Sequence, residues 1–231
     1  MKKYIIFAVI ALFTYVAFYA FFREPAQKLD STAAEKTITR SPRRETDKTA
    51  VFAGGCFWSL ESYFEKIPEG IVDVISGYSG GESENPTYEN YVENGHREAV
   101  EVIYDPAKIS YGELVEYYFR HIDPTDPDGS FFDRGDGYTS AIYHENAEEK
   151  KIAEDLINII DSKKIFDKPI VTEVIPGTDF WPAEKEHQDY AANNEVRYKA
   201  YRIGSGRDAF LKKTWEGKVS ILYTEKVTPQ L

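Results

Sequence analysis

The stretch Ala53-Gly54-Gly55-Cys56-Phe57-Trp58-Ser59-Leu60-Glu61 decides the fold around it and holds the only cysteine among 231 residues. Before it, Thr49 to Ala53 has the apolar content of a strand, and two glycines then interrupt that strand. From Cys56 the apolar spacing becomes helical and continues towards Ile67. We therefore predict that the thiol lies at a strand-to-helix junction, on the first turn of the helix.

A thiol in this position is a candidate nucleophile. A helix start carries unpaired N–H groups and the positive end of the helix dipole, so we expect it to lower the pKa of Cys56 and to favour the thiolate. The thiolate is the reactive form of cysteine. The alternative is that Cys56 is a small buried apolar residue, but the glycine pair and the two following rings, Phe57 and Trp58, favour chemistry.

Composition and charge exclude several classes of function. A single cysteine excludes an internal disulfide and a cysteine-cluster zinc site. Residues 1–48 carry nine Lys/Arg and five Asp/Glu, which leaves 19 against 34 for the remainder, a charge of −15. Nucleic-acid binding needs clustered positive charge, so we expect no nucleic-acid partner.

The N-terminal segment, residues 1–22, predicts a membrane anchor. The 19 residues from Tyr4 to Phe22 carry no charge, and as a helix they would span about 28 Å, close to the roughly 30 Å hydrocarbon core. A cleaved signal peptide is the alternative, but bulky rings stand near Phe22, where a peptidase requires small residues. We interpret residues 4–22 as an uncleaved single-pass anchor with the domain on the exported side, periplasmic or extracellular. Basic residues stand on both sides of the segment, so charge alone does not fix this orientation.

The remainder of the chain divides into a linker, one domain and a tail. Residues 23–48 are polar, mixed in charge and without period, which predicts a flexible linker. The alternation of strands and helices over 49–216 predicts a two-layer α+β domain, followed by a tail at 217–231. The predicted strands are Gly70–Tyr78, Arg97–Tyr104, Thr139–Tyr143 and Pro169–Ile175. The predicted helices are one opened by the capping box Ser110-Tyr111-Gly112-Glu113, one over Asn146–Lys164, and one with Pro182 at its first position.

Several residues could act beside the thiol. Tyr88 ends the turn Asn85-Pro86-Thr87-Tyr88, and Glu98 lies at the mouth of a strand, where it could be a general acid. The segment Asp123–Gly137 is rich in turn residues that bond their own backbone. Its Asp126-Pro127-Asp128-Gly129 lacks the ligand pattern of a calcium loop, and we expect neither a metal nor a cofactor. A cysteine hydrolase would need a histidine base, and the spacing of His96, His121, His144 and His187 does not select one.

Taken together, these stretches resemble the A-type peptide-methionine sulfoxide reductases. Gly55-Cys56-Phe57-Trp58 matches the signature of that family. The following motifs occur in the family's order: Gly77-Tyr78-Ser79-Gly80-Gly81, Asn85-Pro86-Thr87-Tyr88, Gly95-His96-Arg97-Glu98-Ala99-Val100, Tyr104-Asp105-Pro106, Asp123-Pro124-Thr125, Asp133-Arg134-Gly135 and Tyr138-Thr139-Ser140-Ala141-Ile142-Tyr143. The resemblance covers essentially all of 49–216 and implies a split β-α-β, ferredoxin-like core.

The resemblance also implies a role for each site residue. Cys56 would attack the sulfur of methionine-S-sulfoxide, protein-bound or free, and become a sulfenic acid. Glu98 would protonate the oxygen, provided that burial raises its pKa. Tyr88 and Tyr138 would hydrogen-bond that oxygen. Three residues complete the implied substrate site: Phe57 and Trp58 as the wall around the S-methyl group, and Asp133 to orient the substrate.

Three departures from the family pattern stand out. Gly137 replaces the usual glutamine before the second tyrosine, and Glu186 replaces a ring. Ser205 stands where many members carry a second cysteine. We therefore expect a one-cysteine enzyme whose thiol is regenerated by an external thiol, such as a thioredoxin- or glutaredoxin-like protein. A cysteine hydrolase and an inactive membrane-anchored binding domain are the alternative functions.

Overall fold

The structure, a computed structural model, describes residues 42–218, all of which belong to one compact unit. The strands are β1 (Lys48–Ala53), β2 (Ile71–Ser79), β3 (Arg97–Tyr104), β4 (Gly129–Ser130), β5 (Asp133–Arg134), β6 (Ala141–His144), β7 (Glu173–Pro176) and β8 (Trp181–Pro182). The α-helices are α1 (Phe57–Phe64), α2 (Tyr111–Phe119), α3 (Ala147–Ser162), α4 (Tyr190–Asn193), α5 (Glu195–Ser205) and α6 (Arg207–Trp215). Short 3₁₀ turns lie at Asp136–Tyr138 and Lys185–His187.

Six strands form one mixed sheet in the order β7-β6-β1-β3-β2-β8. Strand β1 is antiparallel to both β3 and β6, and β3 is antiparallel to β2, so β1 and β2 run in the same direction with β3 between them. Strand β7 joins β6 in parallel. This confirms a mixed α and β domain built on one main sheet.

The two faces of the sheet bury different clusters. On one face Phe52 and Val100 join the apolar sides of α1, α2 and α3 in the larger core. On the other face Val51 and Ala99 belong to a smaller cluster, against which Phe180 packs. Successive strand residues point to opposite faces, so β1 contributes to both clusters.

Most predicted elements are found close to their expected positions. The side chain of Ser110 accepts from the backbone of Glu113, and the Glu113 carboxylate accepts from the Ser110 backbone, so the predicted capping box is confirmed. Asn146 caps α3, and its side chain accepts from the N–H of Glu149 at 3.0 Å.

Two predicted elements differ from the structure. The strand predicted from Pro169 begins only at Glu173. The prediction for Pro182 is wrong, because this residue lies in β8 and pairs with Gly77 at the edge of the sheet. An edge strand tolerates a residue that lacks an N–H.

The predicted anchor over residues 4–22, most of the predicted linker and most of the C-terminal tail lie outside the described residues. Within residues 42–218, no helix is long and apolar enough to cross a membrane. Strand β1 begins at Lys48. Just before it, the carboxylate of Asp47 accepts from the backbone N–H of Arg44 at 2.7 Å, and Arg44 also pairs with Asp105.

Candidate active site

Cys56 lies between the end of β1 and the start of α1, where it is the N-terminal cap residue of the helix. The preceding Gly55 has φ +89°, and a Cβ there would lie 2.6 Å from Cβ of Ser130, so both its conformation and its surroundings require glycine. The hydroxyl of Tyr118 donates to the carbonyl of Ala53 at 2.6 Å and fixes the end of the strand. The predicted strand-to-helix junction is confirmed.

The environment of the thiol differs from the expectation. Cys56 is only 5% exposed, and burial raises its pKa well above the ordinary value, with the nearby carboxylates of Glu98 and Asp133 raising it further. Arg207 and the N–H of Trp58 act in the opposite direction but do not compensate. The expectation that the helix start lowers this pKa is therefore wrong, because desolvation disfavours the thiolate more than the helix start favours it.

Glu98 is held against the first turn of α1. It is 1% exposed, and its Oε2 accepts a hydrogen bond from the backbone N–H of Phe57 at 2.9 Å. The hydroxyl of Tyr91 donates to its Oε1 at 3.3 Å. Burial raises the pKa of Glu98 to about 8, and the charge of Asp133 also raises it. A carboxyl with this pKa carries its proton at neutral pH and can act as an acid.

Two tyrosine hydroxyls lie beside this carboxyl. The hydroxyl of Tyr138 lies close enough to Glu98 and to Tyr88 to affect the pKa of each. The negative charge of Glu98 and burial both raise the pKa of Tyr138, and burial raises the pKa of Tyr88. Both hydroxyls therefore keep their protons. Tyr88 is 42% exposed, so this side of the site is open to solvent.

Aromatic rings form a wall next to the thiol. Phe57 is completely buried, and its ring centroid lies 6.3 Å from that of Trp58 and 6.5 Å from that of Tyr88. Trp58 stacks on Tyr190 at 3.6 Å, and its indole N–H donates to Nδ1 of His187 at 3.2 Å. The His187 ring also lies 4.5 Å from the Tyr88 ring. These contacts fix the plane of the indole.

Asp133 and two residues of the C-terminal helices complete the site. The hydroxyl of Tyr201 donates to Oδ2 of Asp133, and the Tyr201 ring lies edge-on to Trp58 at 6.4 Å. Arg207 is completely buried over the ring of Phe131, and its Nη1 donates to the carbonyl of His121 at 3.3 Å. Within the described part of the chain its Nε and Nη2 have no hydrogen-bond partner.

The structure thus brings together all seven residues named from the sequence, which are Cys56, Glu98, Tyr88, Tyr138, Phe57, Trp58 and Asp133. Sequence reasoning did not assign four further residues to this site, which are Tyr91, His187, Tyr201 and Arg207, although His187 was weighed as the base of a hydrolase. Tyr91 follows Tyr88 at a spacing of three in a turn, which could have indicated a second ring on the same side. The other three come from the end of the chain, and no local pattern connects them to Cys56.

The two remaining departures from the family pattern, Glu186 and Ser205, and the histidines have no hydrogen bond to Cys56 within residues 42–218. Glu186 is exposed, and the hydroxyl of Ser205 donates to the carbonyl of Arg202 at 2.9 Å. The rings of three histidines hydrogen-bond with groups other than Cys56: His96 with Gly81 and Ser83, His121 with Tyr117, and His187, which lies in the aromatic wall, with Trp58. No hydrogen bond in the described part of the chain joins a histidine to Cys56.

Residues 42–218 contain no group of three His, Cys, Asp or Glu side chains that could hold a metal ion. In the segment weighed as a calcium loop, Asp126 instead forms an ion pair with Arg134, whose Nη2 lies 3.0 Å from Oδ1. The side chain of Asp123 accepts from the N–H of Thr125 at 3.0 Å, so this segment is ordered by turn hydrogen bonds as predicted.

A buried thiol beside a protonated carboxyl, two tyrosine hydroxyls and an aromatic wall defines a thiol-dependent enzyme that can deliver a proton to its substrate. The family model for peptide methionine sulfoxide reductase matches residues 48–219. The chain belongs to the peptide methionine sulfoxide reductase family and is an oxidoreductase of that class, whose members repair oxidised methionine.

Individual relatives agree with this assignment. The chain is 48% identical over 185 residues to the peptide methionine sulfoxide reductase MsrA/MsrB of Vibrio cholerae, with 79% of this chain and 49% of that protein covered. It is 46% identical to the peptide methionine sulfoxide reductase MsrA of Bacillus licheniformis, with 75% and 97% covered. The chain therefore spans about half of the Vibrio protein and nearly all of the Bacillus one.

Solved structures agree on the fold. Methionine sulfoxide reductase A of Corynebacterium diphtheriae superposes with a TM-score of 0.58 at 30% identity, over 66% of this chain and 77% of that one. Mxr1 from Saccharomyces cerevisiae in its reduced form gives a TM-score of 0.61 at 29% identity, over 69% and 91%.

Proposed function

We propose that this enzyme reduces the S epimer of methionine sulfoxide through a sulfenic acid at Cys56, with Glu98 as the acid. The observation that carries the proposal is the position of a buried carboxyl with a pKa of about 8 beside the only thiol of the chain. A sulfoxide oxygen is a poor leaving group until it is protonated, so an acid at this position supplies what the reaction needs.

The proposed step conserves atoms and electrons. The Cys56 sulfur bonds to the sulfoxide sulfur while the proton of Glu98 goes to the sulfoxide oxygen. The hydroxyl then moves to the Cys56 sulfur, and both the S–O bond of the substrate and the new bond between the two sulfurs break. The products are methionine and a cysteine sulfenic acid, in which the enzyme sulfur is oxidised and the substrate sulfur is reduced. The proton of the Cys56 thiol restores the Glu98 carboxyl, so no net proton is consumed.

Tyr88 and Tyr138 support this role, because both keep hydroxyl protons that can be directed at a developing oxyanion. Phe57 and Trp58 offer an apolar wall that suits an S-methyl group. Asp133 lies near both Cys56 and Glu98, and its carboxylate accepts a hydrogen bond from the hydroxyl of Tyr201. It can therefore orient a substrate. The family relationship is the support for the choice of the S epimer.

Regeneration of the enzyme requires an external thiol. The chain has one cysteine, and Ser205 stands where the family resemblance implies a second one; its hydroxyl cannot form a disulfide. Reduction of the sulfenic acid by two external thiols gives water, a disulfide and the free Cys56 thiol. A thioredoxin- or glutaredoxin-like protein supplies both thiols.

Chiral assays of the full chain in detergent test the reaction. With a thiol reductant present, only methionine-S-sulfoxide should be converted to methionine. Equal rates on the R and S epimers would refute the stereochemical proposal. Hydrolysis of an ester or peptide panel, without sulfoxide reduction, would favour the cysteine hydrolase. Absence of all these activities in folded protein would favour an inactive binding domain.

The location is proposed from the apolar segment at residues 4–22, which supports a single-pass anchor with the domain exported. After expression in a bacterial host, the full-length chain should stay in the membrane fraction through an alkaline wash. Protease added to spheroplasts should then digest the domain. A shortened soluble form would indicate a cleaved signal peptide, and protection from protease would reverse the orientation.

A further inference from the structure

The space around Gly137 is occupied by a tyrosine. A Cβ built on Gly137 would lie 2.8 Å from Cε2 of Tyr91, 2.8 Å from Cγ2 of Val92 and 3.2 Å from the hydroxyl of Tyr91. Heavy atoms do not approach this closely without a shift of one of them. Val92 is well exposed and can move, whereas Tyr91 is only 4% exposed and is held on all sides. Gly137 is therefore required by the Tyr91 ring.

The Tyr91 ring is fixed by both its backbone and its neighbours. Its N–H donates to the carbonyl of Thr87 at 2.9 Å, and its carbonyl accepts from the N–H of His96 at 3.0 Å. The ring stacks on Tyr78 at 5.0 Å and lies 6.0 Å from the Tyr88 ring. A side chain held in this way presents its hydroxyl in one direction.

That direction is towards the proposed acid. The hydroxyl of Tyr91 donates to Oε1 of Glu98 at 3.3 Å, while Oε2 is already bonded to the backbone of Phe57. Tyr91 also lies near Tyr138, the tyrosine that follows Gly137, and each affects the pKa of the other. The sequence departure at Gly137 and the extra hydroxyl at the carboxyl are therefore two parts of one arrangement.

We propose that Tyr91 is a positioning residue that replaces the missing side chain at Gly137, holds Glu98 in place, and stabilises the carboxylate that remains after proton transfer. The proposal rests on the proposed role of Glu98 as the acid. A donor hydrogen bond to a carboxylate favours its ionised form, so Tyr91 makes Glu98 a stronger acid. The effect acts through Glu98, and Tyr91 needs no contact with the substrate.

The alternative is that Tyr91 only fills space between Tyr78 and Tyr88. Tyr91→Phe distinguishes the two, because it keeps the ring and its contact with Gly137 and removes only the hydroxyl. We expect kcat to fall about tenfold, near the lower end of what a hydrogen bond to a charged group contributes. KM for a methyl sulfoxide should be unchanged. Full kcat would overturn the proposal.

A second readout follows the ionisation of Glu98 itself. A protonated carboxyl gives an infrared carbonyl band, and the band that disappears in Glu98→Gln is assigned to Glu98. In Tyr91→Phe this band should persist to a higher pH than in the wild type. The other titratable groups that face Glu98 are unchanged in this variant: Cys56, Asp133, Tyr78, Tyr88 and Tyr138. An unshifted band in Tyr91→Phe would overturn the proposal.

Tyr117→Phe is the matched control. Tyr117 is as buried as Tyr91, and its hydroxyl donates to the carbonyl of Tyr63 at 2.8 Å. This variant should change neither kcat nor the infrared band. If it lowers kcat as much as Tyr91→Phe, the effect of Tyr91 is one of general packing and the proposal fails.

A pair of variants tests the link to Gly137. Gly137→Ala should lower kcat because its Cβ displaces Tyr91, and it should add no further loss in a Tyr91→Val background. Independent losses in the double variant would overturn the link. A failure of the proposed function can be distinguished from a failure of this proposal. Full activity in Glu98→Gln would show that Glu98 is not the acid, which would refute the proposed function. A large loss in Glu98→Gln with wild-type behaviour in Tyr91→Phe would remove only the role of Tyr91.

Discussion

Glu98→Gln is the perturbation that separates acid catalysis from every other contribution of this site. At pH 7 a carboxyl with a pKa of about 8 is protonated in roughly ten molecules for each ionised one. Glutamine is close in shape to that protonated form. Its amide oxygen can still accept from the N–H of Phe57, and its amide nitrogen can donate to the hydroxyl oxygens of Tyr91 and Tyr138. We therefore expect the fold and the ground-state geometry to be retained.

The loss of activity in Glu98→Gln should then reflect only the loss of proton transfer. General acids typically contribute about 100- to 10,000-fold to a rate, which corresponds to about 2.7 to 5.4 kcal/mol of activation free energy. We expect kcat for methionine-S-sulfoxide to fall within this range. Methionine formation measured by chromatography under saturating reductant gives the number. Activity of Glu98→Gln within about threefold of wild type, well below the range for such an acid, would remove Glu98 from the mechanism.

The same variant should make the thiol easier to ionise. The charge of Glu98 raises the pKa of Cys56, so its removal should let Cys56 react with an alkylating reagent at lower pH than in the wild type. Reduction of sulfoxide and alkylation of the thiol would thus change in opposite directions. Glu101→Gln is the matched control, because Glu101 lies on the same strand with a pKa raised by burial, and it should alter neither. Parallel losses of both reactions in Glu98→Gln would indicate a damaged fold.

Three further changes test the surroundings of the site. Arg207→Met removes a buried cation that lowers the pKa of Cys56, so alkylation of the thiol should require a higher pH. Alkylation at a lower pH than in the wild type would contradict this. His187→Ala removes the hydrogen-bond acceptor of the Trp58 indole N–H. It should raise KM about fivefold, which corresponds to the loss of one hydrogen bond of about 1 kcal/mol, and an unchanged KM would contradict this. Glu61 has a pKa raised by burial from 4.5 to about 8, so the folded state retains a proton that the unfolded chain loses, and stability falls as pH rises through this window. Glu61→Gln should therefore raise the unfolding midpoint relative to wild type at about pH 8 but not at about pH 5, and an equal effect at both would contradict this.

The sequence predicted the parts of this protein that depend on local pattern. Gly-Gly before Cys56 and the helical spacing after it place the thiol at a junction, and the structure has it there. The alternation in Arg97–Tyr104 placed Glu98 at the start of a strand. These features follow from backbone preferences and from side-chain periodicity, which act over a few residues.

What the sequence could not give depends on burial and on distant contacts. The pKa of Cys56 was expected to be lowered by the helix start, but the sign is set by desolvation and by Glu98, 42 residues away in the sequence. Arg207 reaches the site from α6, and no local pattern in the sequence signals its effect on the pKa of the thiol. Pro182 was predicted to begin a helix because proline suits a first helical turn, yet it suits a sheet edge equally well. Only the tertiary structure decides between the two.

The central claim is that one sulfur performs the chemistry and cannot regenerate itself, and a single-turnover experiment tests it most directly. Fully reduced enzyme, freed of reductant and given excess methionine-S-sulfoxide, should form one equivalent of methionine and stop. It should then carry one sulfenic acid at Cys56, trapped by a dimedone-type reagent and located by mass spectrometry. Cys56→Ser should give neither product nor adduct. Two or more equivalents of methionine without added thiol, or product from Cys56→Ser, would contradict the account.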